Sequence, residues 1–437
     1  MARFNSRNNS SIWFSDGCVF LGGVLAAVFV VWGFSSFIAA FPTKNPNSQS
    51  VTTKLESLKR PDSALICAAC THGADLRHDC PEKTFYDDPE MGYTLSKPMN
   101  NWDNKRKEWL LRHPPFIPGA ETRILIVTGS QPGPCQNPIG DHLLLRFFKN
   151  KVDYCRIHGY NIFYNNVLFH KKMDTYWSKY PMVKAAMMAH PEAEWIWWID
   201  SDAMFTDMDF KLPLHRYNNH NLIVHGWRRL VEEGKSSMAL NAGVFLIRNC
   251  QWSLDFMDKW ASMGPQSPDY KKWGQIQKKL FKDKNFLESD DQVGLAYLIS
   301  EEKAKWGNKI YLETEYEFSG YWKNLVDTYE NITERYSEVE RGEKRLRKRH
   351  AEMVRESYSE MREKYVKKSW RRPFITHFTG CQPCNGNHNP KYSGDDCWNG
   401  MEKALNFADN QVLRNYGYVH PNLLDSSVSP IPFDYPA

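Results

Sequence analysis

The chain lacks a dominant charge. Its 56 Lys and Arg stand against 51 Asp and Glu, a formal net charge of +5 over 437 residues, with the two signs interspersed. That balance leaves no footprint for nucleic acid, whose phosphates call for clustered cations. No block repeats at a fixed period, which excludes a solenoid or a propeller. No Walker loop or G-x-G-x-x-G turn is present, so the usual glycine-rich nucleotide cradles are missing. Long apolar runs are scarce too: after the one near the N-terminus, none of comparable length follows.

That single run sets the organisation. Gly17 to Phe41 carries no charged residue and would span about 37 Å as a helix, enough for a tilted passage through a hydrocarbon core of about 30 Å. Ala39-Ala40 resembles a cleavage site, but a cleaved signal has a shorter apolar region of about 7–15 residues. Arg3 and Arg7 precede the run and only Lys44 follows closely. The positive-inside bias therefore predicts a cytosolic tail over 1–16, a signal anchor over 17–41 and a lumenal body. Pro42 to Pro61 reads as a flexible stem, and the whole of 42–118 as stem and irregular lead-in, with the main domain over 119–437.

A lumenal body bears on the cysteines. Of 10, Cys18 lies in the anchor, leaving an odd number beyond it, so at least one is free or pairs between chains. Cys67-x-x-Cys70 with His72, His78 and Cys80 could hold zinc, although an oxidising lumen favours disulfides. Cys381-x-x-Cys384 with Cys397 poses the same choice. Asn331-Ile332-Thr333 is a glycosylation sequon; Asn8 and Asn9 also precede serines suitably but face the cytosol.

The most informative stretch is Trp195-Ile196-Trp197-Trp198-Ile199 running into Asp200-Ser201-Asp202. Five apolar residues in a row predict a strand buried on both faces. Ligands of open α/β sheets sit beyond the carboxyl ends of the strands, where paired carboxylates can hold a divalent cation against a diphosphate. The alternative is a solvated acidic turn. Upstream, Ile124-Leu125-Ile126-Val127 predicts a strand ending at Thr128-Gly129-Ser130, a first βα turn. Asp141–His158 and Tyr180–His190 have helical periodicity, and Asn161–Tyr164 reads as a strand. This alternation predicts an α/β domain with a mainly parallel sheet. The charge-dense segment 328–372 reads as an exposed helix laced by i,i+4 pairs.

Four further segments join the aspartate pair: Leu240-Asn241-Ala242-Gly243 with the apolar run after it, Glu288-Ser289-Asp290-Asp291-Gln292, Gly320-Tyr321-Trp322, and Thr376-His377-Phe378-Thr379-Gly380-Cys381. In this order, with Gly129-Ser130 upstream, the chain resembles family 34 of the glycosyltransferases over roughly 96–420. The resemblance implies a GT-A-type nucleotide-sugar transferase domain behind a single transmembrane helix, and a retaining α-transfer onto O6 of a β-1,4-linked backbone. It makes Asp200, Asp202 and His377 ligands of Mn2+, and Asp290, Asp291 and Gln292 the catalytic segment facing the donor sugar. Of the two aspartates, Asp291 is the one expected nearest the anomeric carbon and Asp290 the one expected to hold sugar hydroxyls. Gly129, Ser130, Lys179, Ser201, Asn241, Gly243 and Gly380 fall to the donor, with Lys179 either facing the diphosphate or lying on the surface. Trp227, Tyr321 and Trp322 are acceptor candidates, since aromatic faces pack on pyranose C–H faces, and Asn331 is the glycosylation candidate.

Two departures bear on the sugar. Xylosyltransferase members read Gly-Cys-Lys-Pro-Cys where this chain has Gln382, and Asn-Thr-Gly where it has Ala242, whose smaller side chain could admit a hydroxymethyl group. Both features resemble the galactomannan galactosyltransferase branch. The expectation is a UDP-galactose donor, a β-1,4-mannan acceptor, a Golgi membrane location as a type II protein, and mannan synthase or a second copy as candidate partners. The rivals are a xyloglucan α-1,6-xylosyltransferase using UDP-xylose and a catalytically weak scaffold of a Golgi polysaccharide synthase complex.

Overall fold

Three strands carrying the first half of the sheet run in one direction. They are β1 (Ile124–Gly129), β2 (Asn161–Asn165) and β3 (Trp195–Ile199); then come β4 (Ala203–Phe205), β5 (Leu222–Gly226), β6 (Leu240–Arg248), β7 (Ile310–Glu313), β8 (Gly320–Tyr321) and β9 (Ile375–His377). The central sheet has the order β2-β1-β3-β6-β5-β7. Strand β6 alone is reversed, antiparallel to both β3 and β5, while the remaining pairings are parallel. The expected mainly parallel α/β sheet is therefore a mixed one. A second sheet, β4-β9-β8, stands beside it. This computed structural model describes residues 97–113, 123–342 and 371–431, within the unit Pro81–Ala437. The predicted anchor over 17–41, the stem, the cysteines at 67, 70 and 80, and the charged segment past Gly342 lie outside the described residues. Among those described, no helix is long and apolar enough to cross a membrane.

The apolar run of β3 is buried along its whole length. Its side chains alternate as a strand requires: Ile196 and Trp198 enter one hydrophobic cluster, Trp195, Trp197 and Ile199 the other. The helices are α1 (Trp102–Arg112), α2 (Pro138–His158), α3 (Lys179–Ala189), α4 (Gln251–Ala261), α5 (Tyr270–Leu280), α6 (Asp291–Glu301), α7 (Tyr329–Gly342) and α8 (Gly394–Leu413). Helices α3, α4 and α6 cover the first cluster, and α2, α7 and α8 the second. Local signals start and stop them. Asn137 accepts from the Ile139 amide ahead of Pro138 to begin α2, and Ser393 with Asp396 forms a reciprocal capping box for α8.

Two expectations need correction. The lead-in before residue 118 is not wholly irregular: α1 docks through buried Trp102, whose indole donates to Asn249 Oδ1 at 2.8 Å, while Gln251 Nε2 donates to the Met99 carbonyl at 2.7 Å. Its apolar face consists of Trp102, Trp109 and Leu110 among charged neighbours, too sparse a pattern to stand out. The charged segment from 328 is not simply exposed either. Tyr329, Ile332 and Tyr336 form a buried stripe at i, i+3 and i+7, and Tyr329 stacks on Phe407 of α8 with ring centroids 4.4 Å apart. Asn331 remains on the exposed side. The second cysteine cluster forms disulfides, Cys135–Cys384 and Cys381–Cys397, leaving Cys155 and Cys250 free among the described residues.

Candidate active site

Asp200 and Asp202 leave the carboxyl end of β3 in a turn pinned on several sides. The Asp200 amide donates to the Gly243 carbonyl at 2.8 Å, and the Phe378 amide donates to the Asp202 carbonyl at 3.0 Å. Pairing of β4 with β9 sets Ala203 opposite His377 and so brings the histidine to the aspartates. Its Nε2 lies 3.3 Å from Asp202 Oδ1 and 3.8 Å from Asp200 Oδ2. Nδ1 faces Asn241 Oδ1 at 3.1 Å, and that oxygen already accepts from the Gly243 amide and the Ser319 hydroxyl at 2.9 and 3.0 Å. An oxygen so engaged accepts from a protonated Nδ1 and leaves the Nε2 lone pair pointing at two carboxylates. Such a lone pair needs a proton or a cation between. Consistent with this, the carboxylates of Asp202 and Asp200 outweigh burial and raise the imidazole pKa, while burial raises that of Asp200 against the pull of Lys179 and His377.

The three candidate ligand atoms lie within 4.8 Å of one another. A cation about 2–2.5 Å from each holds neighbouring ligands about 3–3.5 Å apart, so modest closure would bring all three atoms onto one ion, with further positions left for other donors. Carboxylate and imidazole together suit a first-row divalent ion such as manganese. Space for the triad depends on Gly243. A Cβ there would meet His377 Cε1 at 2.3 Å and Asp200 Oδ2 at 2.5 Å. The pairing of β5 with β6 is also irregular here, where β6 bends; bulges commonly re-aim side chains beside active sites.

Facing the triad is a second constellation at the N-terminus of α6. Asp290 caps the helix by accepting from the Val293 amide at 2.8 Å, so its helix-capping role and a site role coexist. Burial, reinforced by Asp291, pushes its pKa up to about 6. Asp291 is held by Lys179 Nζ at 2.8 Å, and the same ammonium lies 3.7 Å from Asp200 Oδ1 and donates to the Ala242 carbonyl at 3.1 Å. At 2% exposure, Lys179 is not a surface lysine. It cross-links the two carboxylate groups, and their fields overcome burial to raise its pKa. Gln292 bridges α6 to β6 and its preceding loop, accepting from the Ala242 amide and donating to the Ser237 carbonyl.

Both constellations line one cavity of about 290 Å³, with Tyr176, Met238, Lys284, Phe286, Thr379 and Gly380 completing its wall. Four carboxylates (Asp200, Asp202, Asp290, Asp291) and two ammonium groups (Lys179, Lys284) border it. The formal charge of these six groups is −2, which one divalent cation would offset.

Lys179, Asn241, Gly243 and Gly380, the last with φ +85°, thus meet Asp200, Asp202, His377 and Asp290-Asp291-Gln292 at the cavity. Gly129, Ser130 and Ser201 do not line it. Gly129 closes β1, the Ser130 amide is already bonded to the Asn165 carbonyl, and the Ser201 carbonyl accepts from Lys151. Trp227 and Tyr321 are exposed but stand outside the lining. Trp322 is a correction: at 1% exposure it is packed in the core, stacked on Phe378 and edge-on to Tyr392, with no face to offer a sugar. Ala242 borders the cavity, but its side chain belongs to the hydrophobic cluster. Gln382 is exposed and bonds with Asn385 and Asn387. Sequence reasoning missed Lys151, Lys284, Ser319 and the Trp198 indole that donates to Asp200 Oδ1 at 2.6 Å. Lys151 lies buried behind the turn, its pKa lowered to about 7 by burial against the opposing pull of Asp202 and Asp200.

The model of the galactosyl transferase GMA12/MNN10 family matches residues 120–388. The chain is 63% identical to "Galactomannan galactosyltransferase 1" of Cyamopsis tetragonoloba over 438 residues, covering 100% of both chains. It is 55% identical to "Glycosyltransferase 6" of Arabidopsis thaliana over 439 residues, 99% of this chain and 98% of that one. Similarity extends to "Probable xyloglucan 6-xylosyltransferase 3" of Arabidopsis thaliana, 45% identical over 346 residues, 79% of this chain and 69% of the other.

Proposed function

Because the chain belongs to the galactosyl transferase GMA12/MNN10 family, and so is a hexosyltransferase, we propose that it moves galactose from UDP-galactose to O6 of mannose in a β-1,4-mannan, dependent on manganese and with retention. The observation that carries this reading is the convergence of Asp200, Asp202 and His377 with the Lys179–Asp291 pair on one cavity two positive charges short of neutrality. Asp200, Asp202 and His377 Nε2 would hold manganese, which when bound supplies positive charge for the departing diphosphate. Asn241 fixes the histidine tautomer, the kind of outer hydrogen bond that sustains metal affinity. Asp290 and Asp291 set negative charge where an oxocarbenium-like centre develops at the anomeric carbon. Lys179 holds the Asp291 carboxylate in place through its 2.8 Å contact.

Galactose as donor and mannan as acceptor are supported by the relative named for that activity, at 63% identity. Two disulfides and the exposed Asn331 support an oxidising lumen; with the apolar run 17–41 they favour a Golgi type II protein glycosylated at Asn331, with mannan synthase or a second copy as partner. A matrix of UDP-galactose and UDP-xylose against manno- and cello-oligosaccharides, with manganese or excess chelator, tests the reading. Expected are α-linked galactose on mannan only, and silence in chelator. Xylose on cello-oligosaccharides would establish the xyloglucan activity for which the 45% relative is named, and no UDP release under any condition would leave the scaffold.

A further inference from the structure

The mouth of the cavity carries two large apolar side chains that the chemistry above leaves unused. Phe286 and Met238 line it yet are 43% and 68% exposed. Phe286 is not a loose loop residue. The buried Lys284 ammonium lies 3.6 Å from its ring centroid and donates to the carbonyls of Phe286 and Glu288 at 2.8 and 2.5 Å. One face of the ring is thus backed by its own loop, and the exposed remainder faces outward. Asp283 clasps this loop to the one bearing Met238, accepting from the Ser236 hydroxyl at 2.7 Å and the Ser237 amide at 2.8 Å. Gln292 ties the same loop to α6, so the two loops that carry these side chains are linked to the helix that begins at Asp291.

We propose that Phe286, with Met238 beside it, is the platform on which a neutral β-1,4-linked hexose chain lies while its hydroxyl reaches the cavity. The inference rests on the transferase reading. A pyranose presents an apolar C–H face that an uncharged aromatic ring can cover, whereas the carboxylate-lined interior suits a metal and a diphosphate. A nucleotide base is the other candidate for such a ring. Nucleotides in open α/β sheets bind where the strand order reverses, here beside β1, while Phe286 stands at the entry to α6, which packs on β6.

Calorimetric titration of the full chain, holding UDP and manganese, with β-1,4-mannohexaose and cellohexaose tests this directly. The wild type binds at least one of them; Phe286→Ser weakens that binding about tenfold, as loss of an aromatic contact does, and Phe286→Trp restores it. Met238→Ser weakens it in the same direction, which covers the case of a poorly folded Phe286 variant. Unchanged hexaose affinity in both serine variants overturns the proposal. So does a wild type that binds neither hexaose, or a Phe286→Ser protein whose defect lies in UDP binding instead. Hexaose binding that depends on Phe286 without any galactose transfer would sink the donor reading and leave the platform standing.

Discussion

Replacing Gly243 with alanine adds one methyl group at the tightest point of the site. Ordinary contact begins near 3.4 Å, and the new Cβ would sit 2.3 Å from His377 Cε1 and 2.5 Å from Asp200 Oδ2. One or both groups must retreat by about 1 Å. Neither has room. His377 is buried in β9 and engaged by Asn241 and Ser319, and Asp200 is engaged by the Trp198 indole and Lys179. Metal ligation tolerates displacements of about 0.2 Å, so a 1 Å retreat should lower manganese affinity about 10- to 100-fold and turnover about 100-fold or more. Overpacking adds about 1–3 kcal/mol of destabilisation.

The cleanest assay is thermal unfolding with and without manganese. A ligand at 100 times its Kd stabilises the native state by about 2.7 kcal/mol, so a 100-fold loss of affinity removes nearly all of that shift. Gly243→Ala should therefore show a lower Tm and little response to manganese. A variant with wild-type activity and an undiminished manganese shift would refute the assignment of Asp200 and His377 as ligands of one ion.

The ion pair and the capping carboxylate yield two further expectations. Lys179→Met leaves Asp291 and Asp200 buried without their cation; breaking such a pair costs about 3–5 kcal/mol, read as a lower urea midpoint at unchanged m, and a wild-type midpoint would remove Lys179 from the structural core of the site. Asp290, at about 6 rather than 3.8, takes up its proton more readily in the folded than in the unfolded chain. Between those values this group alone makes the metal-free protein more stable as pH falls, while turnover that needs its charge drops through about pH 6; a flat rate from pH 7 to 5 would exclude it from catalysis.

The strand before Asp200 was legible because an apolar run buried on both faces has no other comfortable place in a soluble domain, and its acidic end then had to lie at a sheet mouth. Helices α2 and α3 were legible from their periodicity. The lysine inside Trp177-Ser178-Lys179-Tyr180 was not, since a lysine in sequence looks solvated whatever its fate. Its burial is decided by Asp291 and Asp200, brought to it by α6 and β3. Trp322 failed for the opposite reason. An aromatic next to an exposed Tyr321 looks available, but the chain turns into a short 3-10 helix at Trp322, which packs onto Phe378. The stripe of Tyr329, Ile332 and Tyr336 was readable in spacing and hidden by charge density.

What no spacing could display is compensation. Asp200 and Asp202 come from the end of β3, Asp290 and Asp291 from the start of α6, His377 from β9, Lys179 from α3 and Lys284 from the loop before α6. Each is an ordinary residue in its own segment. Only their assembly around one cavity makes four carboxylates meet two ammonium groups and leaves a formal charge of −2 beside the Asp200, Asp202 and His377 cluster. Lys179, one of the two ammonium groups, also links Asp291 to Asp200, at 2.8 and 3.7 Å, and so ties the start of α6 to the end of β3. Lys179→Met deepens that charge deficit by one, whereas Gly243→Ala leaves it unchanged and displaces His377 and Asp200, so the two substitutions perturb the assembly from independent directions.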